Sequence, residues 1–92
     1  MHIPVTCDPW KAAHNKRKHR VSFEEAVTAL RDEHGATVPD PHHSRGETRL
    51  IHVGMSARCR VLVVIYMERG DTLRIISSRV ATPTERRSYK EG

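Results

Sequence analysis

The sequence predicts an α+β domain: a small antiparallel sheet with helices packed on it, in the order β-α-α-β-β-β-β-α. Three observations carry this reading. From Arg60 to Arg79, two runs of β-branched, aromatic and aliphatic residues flank Gly70-Asp71, a pair suited to a tight hairpin because glycine takes positive φ without steric cost. Ser22-Phe23-Glu24-Glu25 and Thr82-Pro83-Thr84-Glu85 each have the spacing of a capping box, which marks a helix start. Asp8-Pro9 sets an N-cap before proline at the first helical position, marking a third start. At 92 residues the chain reads as one domain, 1–92, with a small core that the hairpin must largely supply.

Taken in order, Ile3, Val5 and Cys7 alternate with His2, Pro4 and Thr6 as a short first strand, which Pro4 confines to an edge or an end. A helix follows from Pro9 to about Lys18. Trp10, Ala13 and Arg17 define its thin apolar face, and Lys11, His14, Asn15, Lys16 and Lys18 the rest. In the second helix Phe23, Ala26, Val27 and Leu30 recur at helical spacing and face the core. Val21 and Ala26 form its hydrophobic staple, Glu25 reaches back to the Ser22 amide, and Gly35 supplies the stop after Asp32–His34. Ala36 to Val38 is a short strand, cut off by Pro39-Asp40-Pro41, and a loop runs on to Glu47. Thr48 to Val53 is a strand, Gly54 to Arg58 its turn, and the hairpin strands are Arg60–Met67 and Thr72–Ser78. The last helix is Pro83 to Lys90.

Sixteen Lys and Arg against eleven Asp and Glu give a net charge of +5, and seven His can add to it in mild acid. The pI of about 9.8 suits a polyanion or an acidic protein partner. No stretch reaches the roughly 18 apolar residues of a membrane span, and no signal-peptide pattern opens the chain. The cytoplasm is therefore the expected compartment, with no membrane partner. Cys7 and Cys59 are expected as reduced, packed thiols. His42 and His43, beside Asp40, are adjacent on extended backbone and point apart, so they read as loop residues rather than metal ligands. No metal and no cofactor are expected. An aromatic content of 4% argues against a plain single-strand-binding module, which stacks bases on aromatic platforms.

Asp8-Pro9-x-Lys11-Ala12-x-x-Asn15-x-x-Lys18-His19, followed by Val21-Ser22-Phe23-Glu24-Glu25-Ala26, resembles the opening of the BrnT toxin family. The family's later signatures follow in order: Gly46-Glu47-x-Arg49, Val53-Gly54, Arg60-x-Leu62-x-Val64, Glu68-Arg69, Arg74-Ile75-Ile76-Ser77-x-Arg79 and Glu85-Arg86-x-x-Tyr89. The chain departs from the pattern at Cys7, where the family commonly has Trp, and at Arg20, where it has Gly. The resemblance implies a RelE/ParE-like fold, a ribonuclease that halts translation, and a toxin neutralised by a BrnA-like antitoxin. That antitoxin carries a ribbon-helix-helix DNA-binding domain, so operator DNA is reached only through it. The alternative is a toxin fold that serves only to bind its antitoxin as a co-repressor.

Metal-independent RNA cleavage needs a base for the 2′-OH, cations for the charged phosphorane, and an acid for the leaving 5′-oxygen. Arg binds phosphate oxygens bidentately and keeps its charge. Glu68, Arg69, Arg79 and His19 are the candidate catalytic residues, with Lys18, Arg49, Arg60 and Arg74 as RNA contacts. Several of the arginines are expected to converge on one sheet surface. Glu68 reads equally as a solvated turn carboxylate, and Lys18 and His19 equally as cations complementing a helix C-terminus. Strict alternation puts Leu73, Ile75, Ser77 and Arg79 on one side and Arg74 with Ile76 on the other, which separates Arg74 from Arg79 unless the strand bulges.

Overall fold

The computed structural model describes residues 4–41 and 48–91. Its elements are β1 (Val5–Cys7), α1 (Pro9–His19), α2 (Phe23–Leu30), β2 (Ala36–Pro39), β3 (Thr48–Met55), β4 (Val61–Arg69), β5 (Thr72–Val80) and α3 (Pro83–Glu91), in the expected order. The expectations for Ile3, His42, His43, Gly46 and Glu47 lie outside the described residues. The five strands form one sheet in the order β1-β5-β4-β3-β2. It is mixed rather than antiparallel, because β1 runs parallel to β5, with Val5 beside Leu73 and Cys7 beside Ile75. A three-residue strand with no turn to its partner takes its direction from long-range packing, which no local pattern records.

β4 lies at the middle of the sheet and is covered on both faces, which is why Val61–Ile65 is an unbroken apolar run. On one face Leu62 and Val64 pack with Ile75 against Val21, Phe23, Ala26 and Ala29 of the α2 region. On the other, Val61, Val63 and Ala81 form a second cluster with Val53, Met55 and Tyr89 of α3. Each fully buried Leu, Ile or Val contributes about 1.5–3 kcal/mol, so this two-sided strand anchors both helical layers.

Three polar anchors fix the helices. Asn15 is 3% exposed; its Nδ2 donates to the carbonyls of Val21 and Ser78 (3.0 and 2.8 Å), and its Oδ1 accepts from the Ser78 amide at 3.0 Å. β1 pairs only with Leu73–Ile75, so beyond Ile75 the Asn15 amide stands in for a strand partner at Ser78. Ser22 caps α2 through the Glu25 amide at 3.1 Å, but the reciprocal half of that capping box is absent. The Glu25 carboxylate turns to Ser56 Oγ at 2.6 Å and to Arg60 Nε and Nη2 at 3.0 and 2.5 Å. The Thr82–Glu85 box does close, with Thr82 N to Glu85 Oε1 at 2.8 Å and Glu85 N to Thr82 Oγ1 at 3.2 Å.

α2 ends at Leu30, earlier than expected, and Gly35 is not its stop. Asp32 accepts from the His34 and Met55 amides and from the Tyr89 hydroxyl, which ties the end of α2 to β3 and α3. Gly35 instead makes room for His52: a Cβ there would stand 2.5 Å from the imidazole Cε1. His52 is buried, with Nε2 donating to the Ala29 carbonyl and Nδ1 accepting from the Thr37 hydroxyl, both at 2.8 Å. The cysteines are free but exposed, contrary to the packed thiols expected, because Cys7 sits on a strand edge and Cys59 in a turn at φ 62°.

Candidate functional site

The predicted site residues fall into three places. The first is a groove of about 460 Å³ between α1 and the stretch of β5 that β1 leaves unpaired, lined by Trp10, Lys11, His14, Asn15, Lys18, His19, Ile76 and Ser77. Trp10, His14 and Lys18 follow one another four residues apart, so they share a helical stripe. His19 is half-buried, and Lys11, His14 and Lys18 are exposed. The groove unites the predicted Lys18 and His19 with Trp10, Lys11 and His14, which are not among the site residues expected from sequence. That four-residue stripe was the available signal. Trp10 itself corrects an expectation: it is 86% exposed rather than part of an apolar face, and Ala12 packs on the core in its place. Arg20 closes α1 in the left-handed region at φ 57°, its amide donating to the Lys16 carbonyl at 2.9 Å.

The second place is the sheet face that carries α3. Here the register shifts between Ile65 and Tyr66: Ser77 opposes Ile65 and Ile75 opposes Tyr66, leaving Ile76 as a bulge. The bulge reverses the alternation, so Arg74, opposite Met67, lies on the same face as Arg79, opposite Val63. Arg49 also opposes Met67, so Arg49, Met67 and Arg74 form one row across β3, β4 and β5. Arg69 shares this face at the hairpin end, opposite Thr72, and Glu68 faces the other way between Thr48 and Leu73. Arg79 is engaged: its Nη1 and Nη2 donate to Glu85 Oε1 and Oε2 at 2.8 and 2.9 Å. That guanidinium lowers the Glu85 carboxyl to about 2, and Glu85 in turn raises Arg79. Along β4, Val63, the partner of Arg79, lies about 20 Å from Arg69 at ~3.3 Å per residue. Glu68, Arg69 and Arg79 are therefore not brought together.

The third place holds Arg60, which does not join the other arginines. It sits on the opposite face, clamped to buried Glu25, with Nη2 also donating to the Arg20 carbonyl at 3.2 Å. The Arg60 hydrogen bonds hold the Glu25 carboxyl below its ordinary value against the desolvation that opposes them. Arg60 thus joins the turn before β4 to α2 and to the cap of α1.

Among the described residues, no group of three or more His, Cys, Asp or Glu is arranged to hold a metal, and no helix is long and apolar enough to cross a membrane. The family model described as the ribonuclease toxin, BrnT, of type II toxin-antitoxin systems matches residues 8–85. The chain belongs to the BrnT toxin family. Among solved structures it is similar to the Brucella abortus ribonuclease toxin BrnT, with a TM-score of 0.68 at 23% identity over 88% of this chain and 99% of that one. No curated protein sequence matches it. The chain is accordingly a ribonuclease toxin of a type II toxin–antitoxin system, with an RNA substrate and an antitoxin partner. In this BrnT-family toxin the predicted cationic site residues divide between the α1–β5 groove and the arginine-bearing sheet face, apart from Arg60, which is held by Glu25.

Proposed function

We propose that this BrnT-family toxin cleaves RNA by metal-independent transesterification in the α1–β5 groove. The carrying observation is that His14, His19, Lys11 and Lys18 line the same groove. A neutral imidazole takes the proton of the 2′-OH, whose oxygen attacks the adjacent phosphorus. The second imidazole, protonated, delivers its proton to the departing 5′-oxygen. The products are a 2′,3′-cyclic phosphate and a free 5′-OH, so the two imidazoles exchange protonation states with no net consumption of protons. The ammonium groups of Lys11 and Lys18 stabilise the phosphorane oxygens as their charge builds.

The partner in this reading is a BrnA-like antitoxin with a ribbon-helix-helix domain, which alone contacts operator DNA, in the cytoplasm. Its toxin-binding segment covers the face bearing Arg49, Arg69 and Arg74, where acidic side chains meet guanidinium forks. The test is cleavage of a single-stranded RNA in EDTA by the purified chain. His14→Ala and His19→Ala are each expected to reduce kcat by about 10²–10⁴-fold, with 5′-OH ends on the products. Loss of wild-type activity in EDTA, or undiminished activity in both His variants, overturns the assignment.

A further inference from the structure

We infer that Trp10 is a stacking platform for an unpaired nucleobase of the RNA held in the α1–β5 groove, an inference that rests on the groove being the RNA site. Trp10 is the chain's single tryptophan, and at 86% it is the most exposed large hydrophobic side chain among the described residues. It is nonetheless fixed in place at its base. Asp8 caps α1 by accepting from the Trp10 amide at 2.8 Å, and Pro9 stiffens the first turn. The indole therefore projects from a pinned backbone and contributes nothing to the core, where Ala12 does the packing.

Its surroundings select the ligand. One helical turn on lies His14 and a second turn on Lys18, with Lys11 adjacent, and none of the groove's lining residues is acidic. An exposed π-face beside ammonium groups is the combination that holds single-stranded nucleic acid, with a base on the ring and phosphates on the cations. A groove of about 460 Å³ falls within the ~300–1,000 Å³ of small-ligand sites. A docked antitoxin helix would need an apolar strip along its length, and of the β5 residues in the lining only Ile76 is apolar. The platform faces an unpaired base only, so it favours single strands over duplex.

The single tryptophan makes the test direct. A single-stranded deoxyoligonucleotide, which lacks the 2′-OH and is not cleaved, is titrated into the purified chain while tryptophan emission is followed. Saturable quenching is expected, at least tenfold weaker for the same sequence as duplex. In RNA cleavage Trp10→Ala is expected to raise KM about tenfold at nearly constant kcat, from the loss of one stacked base, and Trp10→Phe to stay within about threefold of wild type. Unchanged emission while the oligonucleotide binds by anisotropy, or a wild-type KM for Trp10→Ala, overturns the platform. So does emission that responds to an antitoxin and not to the oligonucleotide. Failure of the groove as catalytic site reads separately, as cleavage that survives both His→Ala substitutions while emission is still quenched.

Discussion

Arg74 and Arg79 point from the same face of the sheet although an odd number of positions separates them, because Ile76 is an extra residue in β5. Sharing a face does not give them one role. Arg79 is committed to the Glu85 carboxylate, whereas Arg74 stands in a row with Arg49 across Met67. Arg74→Ala should lower the salt dependence of RNA or antitoxin binding by about one unit of log–log slope and leave α3 in place. Arg79→Ala should leave that slope nearly unchanged and lower stability by about 0.5–1 kcal/mol, since the pair is partly exposed. Salt titrations of both variants, beside urea unfolding, separate the roles; equal slopes would remove the distinction.

Glu25 and Arg60 form the other strong pair, and here burial changes the magnitude. The Glu25 side chain is 4% exposed and accepts from Ser56 as well as from Arg60. Glu25→Ala strands the Ser56 hydroxyl and the guanidinium together, with an expected loss of about 3 kcal/mol. Arg60→Ala should also destabilise, yet the folded variant should cleave RNA at close to the wild-type rate, because Arg60 is engaged with Glu25 and does not line the groove. Urea midpoints with single-turnover rates on the folded fraction check both halves.

His52 makes stability depend on pH through burial. Desolvation lowers its pKa from the ordinary value against the Ala29 and Asp32 contacts that raise it. The unfolded chain therefore binds the proton more readily, and stability is lost as pH falls below about 6.5 toward the lower folded value. His52→Gln should flatten the stability difference between pH 7.5 and pH 5. Gly54→Ala places a Cβ 2.5 Å from the Ala29 carbonyl oxygen and 2.6 Å from the His52 ring. The expected cost is about 2–3 kcal/mol by thermal or urea unfolding; wild-type stability in this variant would contradict the packing.

Glu85 works in a lower window. Its folded value near 2 lies below the ordinary 4.5, so its contribution is complete above about pH 4.5 and fades as pH falls through 2. With Arg79 and Glu85 side chains 41% and 33% exposed, the amount at stake is about 0.5–1 kcal/mol. The stability gap between wild type and Glu85→Gln should be present at pH 6 and largely gone at pH 2. A gap of the same size at both would mean that the ion pair does not hold α3.

Arg20 takes a backbone conformation that favours glycine, at φ 57°. Left-handed backbone costs a non-glycine residue about 1–2 kcal/mol, and glycine loses about 0.5–1 kcal/mol in chain entropy. Arg20→Gly should gain roughly 0.5 kcal/mol while keeping the carbonyl that Arg60 reaches, as a small rise in urea midpoint.

The sequence by itself determined the element order, the helix starts at Pro9, Phe23 and Pro83, the hairpin through Gly70, and the family, because each depends on neighbours within a few residues or on ordered motifs. The two capping boxes mark where that information stops. Thr82 and Glu85 close their box, whereas Ser22 and Glu25, with the same spacing, do not, since Arg60 and Ser56 arrive from far along the chain and take the carboxylate. The faces of β5, the groove that joins α1 to the β5 edge, and the parting of Arg60 from Arg74 were likewise decided only in the tertiary structure. A single bulge at Ile76 reverses a period-two reading, and the contacts that set it lie on a neighbouring strand.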